Sequence, residues 1–111
     1  MRLAEIAQQL DLEPRSAPAA LERAVTGGHV GDLLSAVMAQ AKPGQVWVTV
    51  QVHPNIVAVA VLLGLAGIIL AANAEPEAGT LARAEAEGVP ILCTGLGAFE
   101  AAGRLYELGV R

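Results

Sequence analysis

The chain has 111 residues, a net charge of −4, 54% apolar residues and 16% charged ones. That length suits one domain with one core. The acidic balance excludes nucleic acid as a partner, since phosphate binding needs clustered Lys and Arg. A single cysteine, Cys93, excludes a disulfide framework.

In chain order, Arg2 to Leu10 places Leu3, Ile6, Ala7 and Leu10 on one face and reads as a short amphipathic helix. It looks like the first helix of a helix-turn-helix, but Asp11 to Ala20, with two prolines, lacks a recognition helix. A weak strand signal follows at Leu12–Arg15, then a loop over Ser16–Ala20. Residues 1–20 thus form an N-terminal helix and loop, and 21–111 the sheet core of a single domain. Leu21 to Val25 reads as a strand, with Thr26-Gly27-Gly28 as a turn. Asp32 then opens a helix as N-cap, with Leu33, Leu34, Val37, Met38 and Ala41 facing inward and Lys42-Pro43-Gly44 at its end.

Val46 to Val52 is rich in β-branched residues and partly alternates, as a strand does. Ile56 to Ala72 follows as one unbroken apolar run of 17 residues. As a single helix it would reach roughly 26 Å, short of the about 30 Å of a bilayer core. It lacks flanking Trp, Tyr or a basic cluster. Pro54 suits a first helical turn and Gly64 the residue past a helix end, so the run divides into a helix, a turn and a strand, Ile68–Ala72. Glu77–Glu87, closed by Gly88, is the next helix and Val89–Thr94 the next strand. Ala98–Leu108 is the last helix, with Phe99, Ala102, Leu105 and Tyr106 sharing a face. Alternating strands and helices predict an α/β fold: three layers, α/β/α, around a mainly parallel sheet. The high apolar content predicts a homodimer. No membrane span and no signal peptide are read, so the expected compartment is the cytoplasm.

Ligands of open α/β sheets bind outside the carboxyl ends of the strands, which directs attention to three junctions. His53 and Asn55 stand between the first central strand and its helix, placed to contact a small polar or anionic ligand or to cap the helix. Asn73 and Thr94 follow the next two strands, on the same expected edge, where turn and capping chemistry is the plainer alternative. With Gly95 beside Thr94, and with Asp32, these are the candidate ligand-binding residues. Asp32 with Ser35 reads first as a helix start. His29, His53 and Cys93 lack metal-ligand spacing, so no metal site is expected. Gly95-Leu96-Gly97 opens like a dinucleotide fingerprint but places Glu100 at the third glycine position. The sole lysine, Lys42, lies in a turn, and no Walker motif or nucleophile–base set exists. No catalytic residue or cofactor is expected.

From about Leu21 onward the chain resembles the DRTGG domain family, similar in fold to the N-terminal domain of HPr kinase/phosphorylase. The resemblance is carried by Val46–Val52 leading into Asn55–Leu63, by Gly67-Ile68-Ile69-Leu70, by Gly88-Val89-Pro90-Ile91-Leu92 and by Phe99-Glu100-Ala101-Ala102. Asp32-Leu33-Leu34-Ser35, Gln51-Val52-His53-Pro54-Asn55 and Gly103-Arg104-Leu105-Tyr106 look like a stand-alone variant, often encoded beside iron-only hydrogenase subunits and anti-sigma-type kinases. Where the family usually has Gly-Asp-Arg, this chain has Val52-His53-Pro54-Asn55; where it usually has Thr-Gly-Gly, it has Ala71-Ala72-Asn73. The resemblance implies a non-catalytic regulatory or dimerising module. It would bind a small ligand, a nucleotide among them, or a partner protein at the strand edge. A scaffolding subunit of a hydrogenase or signalling operon, and an enzyme using His53 as general base, are the alternatives.

Overall fold

The computed structural model describes residues 1–111. A five-stranded sheet runs through its centre. Its strands are β1 (Glu13–Pro14), β2 (Gly27–Val30), β3 (Gln45–Thr49), β4 (Gly67–Leu70) and β5 (Ile91–Cys93), in the order β1-β5-β4-β3-β2. β2 to β5 are mutually parallel, and β1 joins β5 antiparallel, with Glu13 opposite Cys93. The helices are α1 (Leu3–Leu10), α2 (Leu34–Gln40), α3 (Asn55–Leu63), α4 (Ala78–Glu87) and α5 (Ala98–Glu107). Because β2 to β5 step across the sheet in one direction, right-handed crossovers put all three connecting helices on one face. There α2, α3 and α4 bury Trp47, Ile68, Leu70 and Ile91 with their own Val37, Ile56, Val57, Ala60 and Ala84. On the other face α1 and α5 cover Val46, Val48, Ile69 and Leu92. This is the expected α/β/α sandwich with a mainly parallel sheet.

The long apolar run divides as its composition implies. α3 ends at Gly64, whose φ of 67° is the left-handed conformation that glycine adopts without a Cβ clash. β4 then lies between β3 and β5, covered on both faces, which is why it can be wholly apolar. No helix is long and apolar enough to cross a membrane.

Several local expectations are corrected. The strand expected at Leu21–Val25 is not formed; a short 3-10 helix occupies Pro18–Glu22, and the strand is Gly27–Val30, in the segment read as a turn. The C-terminal tail packs over this strand: a Cβ on Gly28 would meet Val110 at 3.6 Å, an ordinary contact, and one on Gly27 the main chain of Arg111 at 3.4 Å. α2 starts two residues after Asp32, with Leu33 rather than Asp32 at its N-cap and no side-chain cap bond. A short helix over the sheet margin buries one stripe, so Val37 and Ala41 face inward while Leu33 and Met38 are exposed. In α5 the buried residues are Ala101 and Leu105, and Phe99 is 95% exposed. β3 and β5 are shorter than read because a side chain takes over bonding at one end of each; past β3 the Val50 N–H goes to a carboxylate at 2.9 Å. Ser16 Oγ donates to Val89 O at 2.7 Å and accepts from Ile91 N–H at 2.8 Å, ahead of β5.

Candidate functional site

All six candidate residues lie at or beyond the carboxyl edge of the sheet, but in two different environments. At the end of β3 the polar groups satisfy one another. Trp47, fully buried, donates from Nε1 to Gly31 O at 2.8 Å and pins the loop that carries Asp32. The Asp32 carboxylate accepts from Thr49 Oγ1 at 2.7 Å and from Val50 N–H at 2.9 Å, and Gln51 Nε2 donates to Asp32 O at 3.0 Å. Asp32 is therefore a clamp on the strand end and not a helix cap. His53 Nδ1 accepts from Asn55 N–H at 3.0 Å, so His53 serves the first turn of α3. Thr80 Oγ1, buried, donates to Val52 O at 2.6 Å and ties α4 to the same junction.

At the ends of β4 and β5 the arrangement opens into a cleft of about 320 Å³. Asn73, Thr94 and Gly95 line it together with Asp11, Glu13, Arg15, Ala74, Glu75 and Cys93; His53, Asn55 and Asp32 do not. The β4–α4 turn is shaped by two consecutive left-handed residues, Ala72 (φ 55°) and Asn73 (φ 59°). Asn tolerates that conformation; Ala does so at a cost of about 1–2 kcal/mol. The turn is held by main-chain bonds from Ala72 N–H to Leu96 O (2.7 Å) and from Asn73 N–H to Thr94 O (3.0 Å). The Asn73 amide is thereby left at the cleft surface against Gly95, where an added Cβ would stand 3.2 Å from Asn73 Oδ1. Thr94 Oγ1 accepts from Leu96 N–H at 3.1 Å and opens the α5 turn.

The remaining wall comes from the N-terminal arm. Arg15 N–H donates to Ile91 O at 2.7 Å, which fixes the arm beside β5. The guanidinium then reaches across β5 to Glu75 Oε1 at 2.7 Å, with Glu13 at 3.6 Å and Cys93 Sγ at 3.9 Å. The bond to Glu75 raises the pKa of Arg15, and the bond to Arg15 holds the Glu75 carboxyl below its ordinary value. Burial pushes the Cys93 thiol up, against the lowering influence of the Arg15 guanidinium. Three carboxylates and one guanidinium make the cleft polar and acidic. It suits a ligand rich in hydrogen-bond donors. No group of three His, Cys, Asp or Glu side chains is placed to hold a metal ion.

Sequence reasoning missed Asp11, Glu13 and Arg15, because the contact of Arg15 with Cys93 joins residues 78 positions apart. The available signal was the weak Leu12–Arg15 strand, whose pairing partner the sequence does not name. A larger groove of about 490 Å³ lies at the opposite edge of the sheet, bounded by Ala60, Leu65, Ala66 and Val89 with Arg23 and Glu87 at its margin. Its lining is mainly apolar; the convergent polar chemistry is in the smaller cleft.

A model of the DRTGG domain family matches residues 5–108. No curated protein matches the chain. Among solved structures, the chain is similar to one described as the CBS and DRTGG domains of the regulatory region of Clostridium perfringens pyrophosphatase, complexed with an activator, diadenosine tetraphosphate. The TM-score is 0.74 at 14% identity, covering 94% of this chain and 45% of that one. The chain thus spans less than half of that structure, and a likeness at this identity shows a shared fold.

Proposed function

The chain belongs to the DRTGG domain family, and we propose that it is a non-catalytic regulatory module that takes a small polar ligand at the cleft beyond β4 and β5. The observation that carries this reading is the convergence of Asn73, Thr94 and Gly95 with the N-terminal arm at one sheet edge. Nucleotides are the first ligand class to test, since the similar pyrophosphatase regulatory region was solved with a dinucleotide activator. The nucleobase edge supplies donors for Glu13 and Asp11 and an acceptor for the Asn73 amide.

Calorimetry and thermal shift against adenosine, AMP, ATP and diadenosine tetraphosphate test the site. The expected result is binding to the wild-type chain that is weakened about tenfold in Asn73→Gly, the loss of one good hydrogen bond. Equal binding by both proteins removes the cleft as the site. His53→Ala sets the ligand's reach: a ligand extending along the edge to α3 loses affinity in it, and one confined to the cleft does not.

The module acts as a homodimer in this reading. β2 is an open edge strand, and its Gly27-Gly28-His29-Val30 sequence carries none of the lysines or prolines that usually protect an edge. Leu33, Phe99 and Tyr106 are exposed apolar side chains available for burial. Sedimentation equilibrium returning a monomer at all concentrations up to about 100 μM, weak even for a transient contact, would remove the dimer.

A further inference from the structure

The charge balance of the cleft poses a question that ligand binding there must answer. Its single cation, Arg15, is already engaged. Glu75 holds it at 2.7 Å, Glu13 lies at 3.6 Å, and Asp11 lines the same wall. An anionic ligand therefore meets no free positive charge on arrival. Yet the two partners are not equally committed. Arg15 is fixed by its main-chain bond to Ile91 O, and its side chain is 25% exposed; the Glu75 side chain is 69% exposed. Glu75 also sits two residues beyond Asn73, in the turn that carries the left-handed pair Ala72-Asn73.

We infer that Arg15 is the residue that recognises an anionic group on the ligand, a carboxylate or phosphate, and that Glu75 is a displaceable internal mimic of that group. This rests on the cleft being the ligand site. An exposed ion pair contributes about 0–1 kcal/mol, so a ligand oxygen exchanges for the Glu75 carboxylate at small cost. The planar guanidinium keeps its fork geometry through the exchange and accepts the new anion bidentately. Release of Glu75 changes the surroundings of the β4–α4 turn, which its main-chain bonds keep in place, so occupancy of Arg15 is read at the neighbouring amides. The pair thus selects against weak anions and couples binding to release of the Glu75 side chain.

The test uses NMR titration of the full chain, following the Arg15 Nε–H and the amides of Asn73, Glu75 and Gly95. The probes are inorganic phosphate and, separately, adenosine and AMP. Glu75→Gln is expected to bind phosphate about fivefold more tightly than the wild type, the factor expected for loss of one exposed competing pair. Arg15→Gln is expected to lose the phosphate response. Should Arg15→Gln detach the arm, seen as loss of the protected Ile91 amide, Arg15→Lys replaces it and should bind phosphate more weakly than the wild type. Equal phosphate affinity in Glu75→Gln and wild type overturns the mimic, as does a phosphate response that survives in Arg15→Gln with the arm in place or is undiminished in Arg15→Lys. If phosphate moves nothing while adenosine or AMP still shifts Asn73 and Gly95, the exchange fails and the cleft stands. If no probe shifts the cleft in any variant, the cleft reading fails and the exchange with it.

Discussion

At the end of β3 the Asp32 carboxylate takes the Thr49 hydroxyl and the Val50 N–H, Gln51 returns a bond to Asp32 O, and His53 closes onto Asn55 N–H. One strand away, main-chain bonds hold the turn of Asn73 and spare its side chain; one strand further, Thr94 Oγ1 takes the Leu96 N–H, and the two leave an open polar cleft between them and the N-terminal arm. Both halves belong to the same sheet edge, and both carry the residue types associated with binding. They differ in what the polar side chains already touch. A polar residue at a strand end becomes available to a ligand when the backbone satisfies the turn without it. Where the side chain is needed to finish the strand, it is structural.

The first way to challenge this division is to remove its anchor on the β3 side. Trp47→Ala should cost about 3–5 kcal/mol, since it deletes a fully buried ring and the bond to Gly31 O. Urea unfolding measures it; a loss below about 1 kcal/mol would mean the indole is not the anchor. Next, Ser16→Ala should cost about 1–3 kcal/mol, because the buried Val89 O and Ile91 N–H both lose their partner. Hydrogen exchange should show the Ile91 amide opening first, and the cleft should lose its arm wall while β3 is unaffected.

Asp32→Ala should cost about 1–2 kcal/mol through its charge-assisted bonds to Thr49 and Val50 and leave cleft binding unchanged. A loss of ligand in this variant would merge the two halves into one site. The opposite profile is expected for Asn73→Gly. Glycine suits the positive φ, so stability should change by less than about 0.5 kcal/mol while ligand affinity falls.

The smallest effect is with pH. Glu5, held by the Arg2 N–H and side chain, and Glu75, held by Arg15, both have depressed carboxyl pKa values. A depressed folded-state pKa stabilises at pH values above the unfolded value, and that contribution is lost as pH falls through the folded one. The urea midpoint should therefore decline as acid is added below the ordinary carboxylate range. Arg15→Gln should remove the part due to Glu75. Both carboxylates are exposed, so the decline should be shallow.

Much of the fold was legible in the residues. The amphipathic stripe of α1, the β-branched β3, the division of the apolar run at Gly64 and the βα rhythm to Leu108 all correspond to elements that form. These signals are local: periodicity, a cap and a turn conformation act within a few residues of themselves. The misread elements are those whose reason is remote. β2 is a strand because it pairs in parallel with β3, although two of its four residues are glycines with no strand propensity of their own. The same holds for the site. Asn73, Thr94 and Gly95 were legible as strand-end residues, and the structure brings them into one cleft. Arg15 and Glu75, 60 positions apart, were not.

The sequence by itself determined the layered α/β architecture and the edge on which polar residues gather. Strand ends, helix caps and apolar runs are written in consecutive residues. Tertiary structure decided which of those residues are free. It folded Asp32 back onto β3, turned Phe99 outward and placed the arm bearing Arg15 against β5. The reason is that hydrogen-bond satisfaction is a property of the folded surroundings: an identical side chain is a structural tie where a strand end needs it and an open contact where the backbone does not.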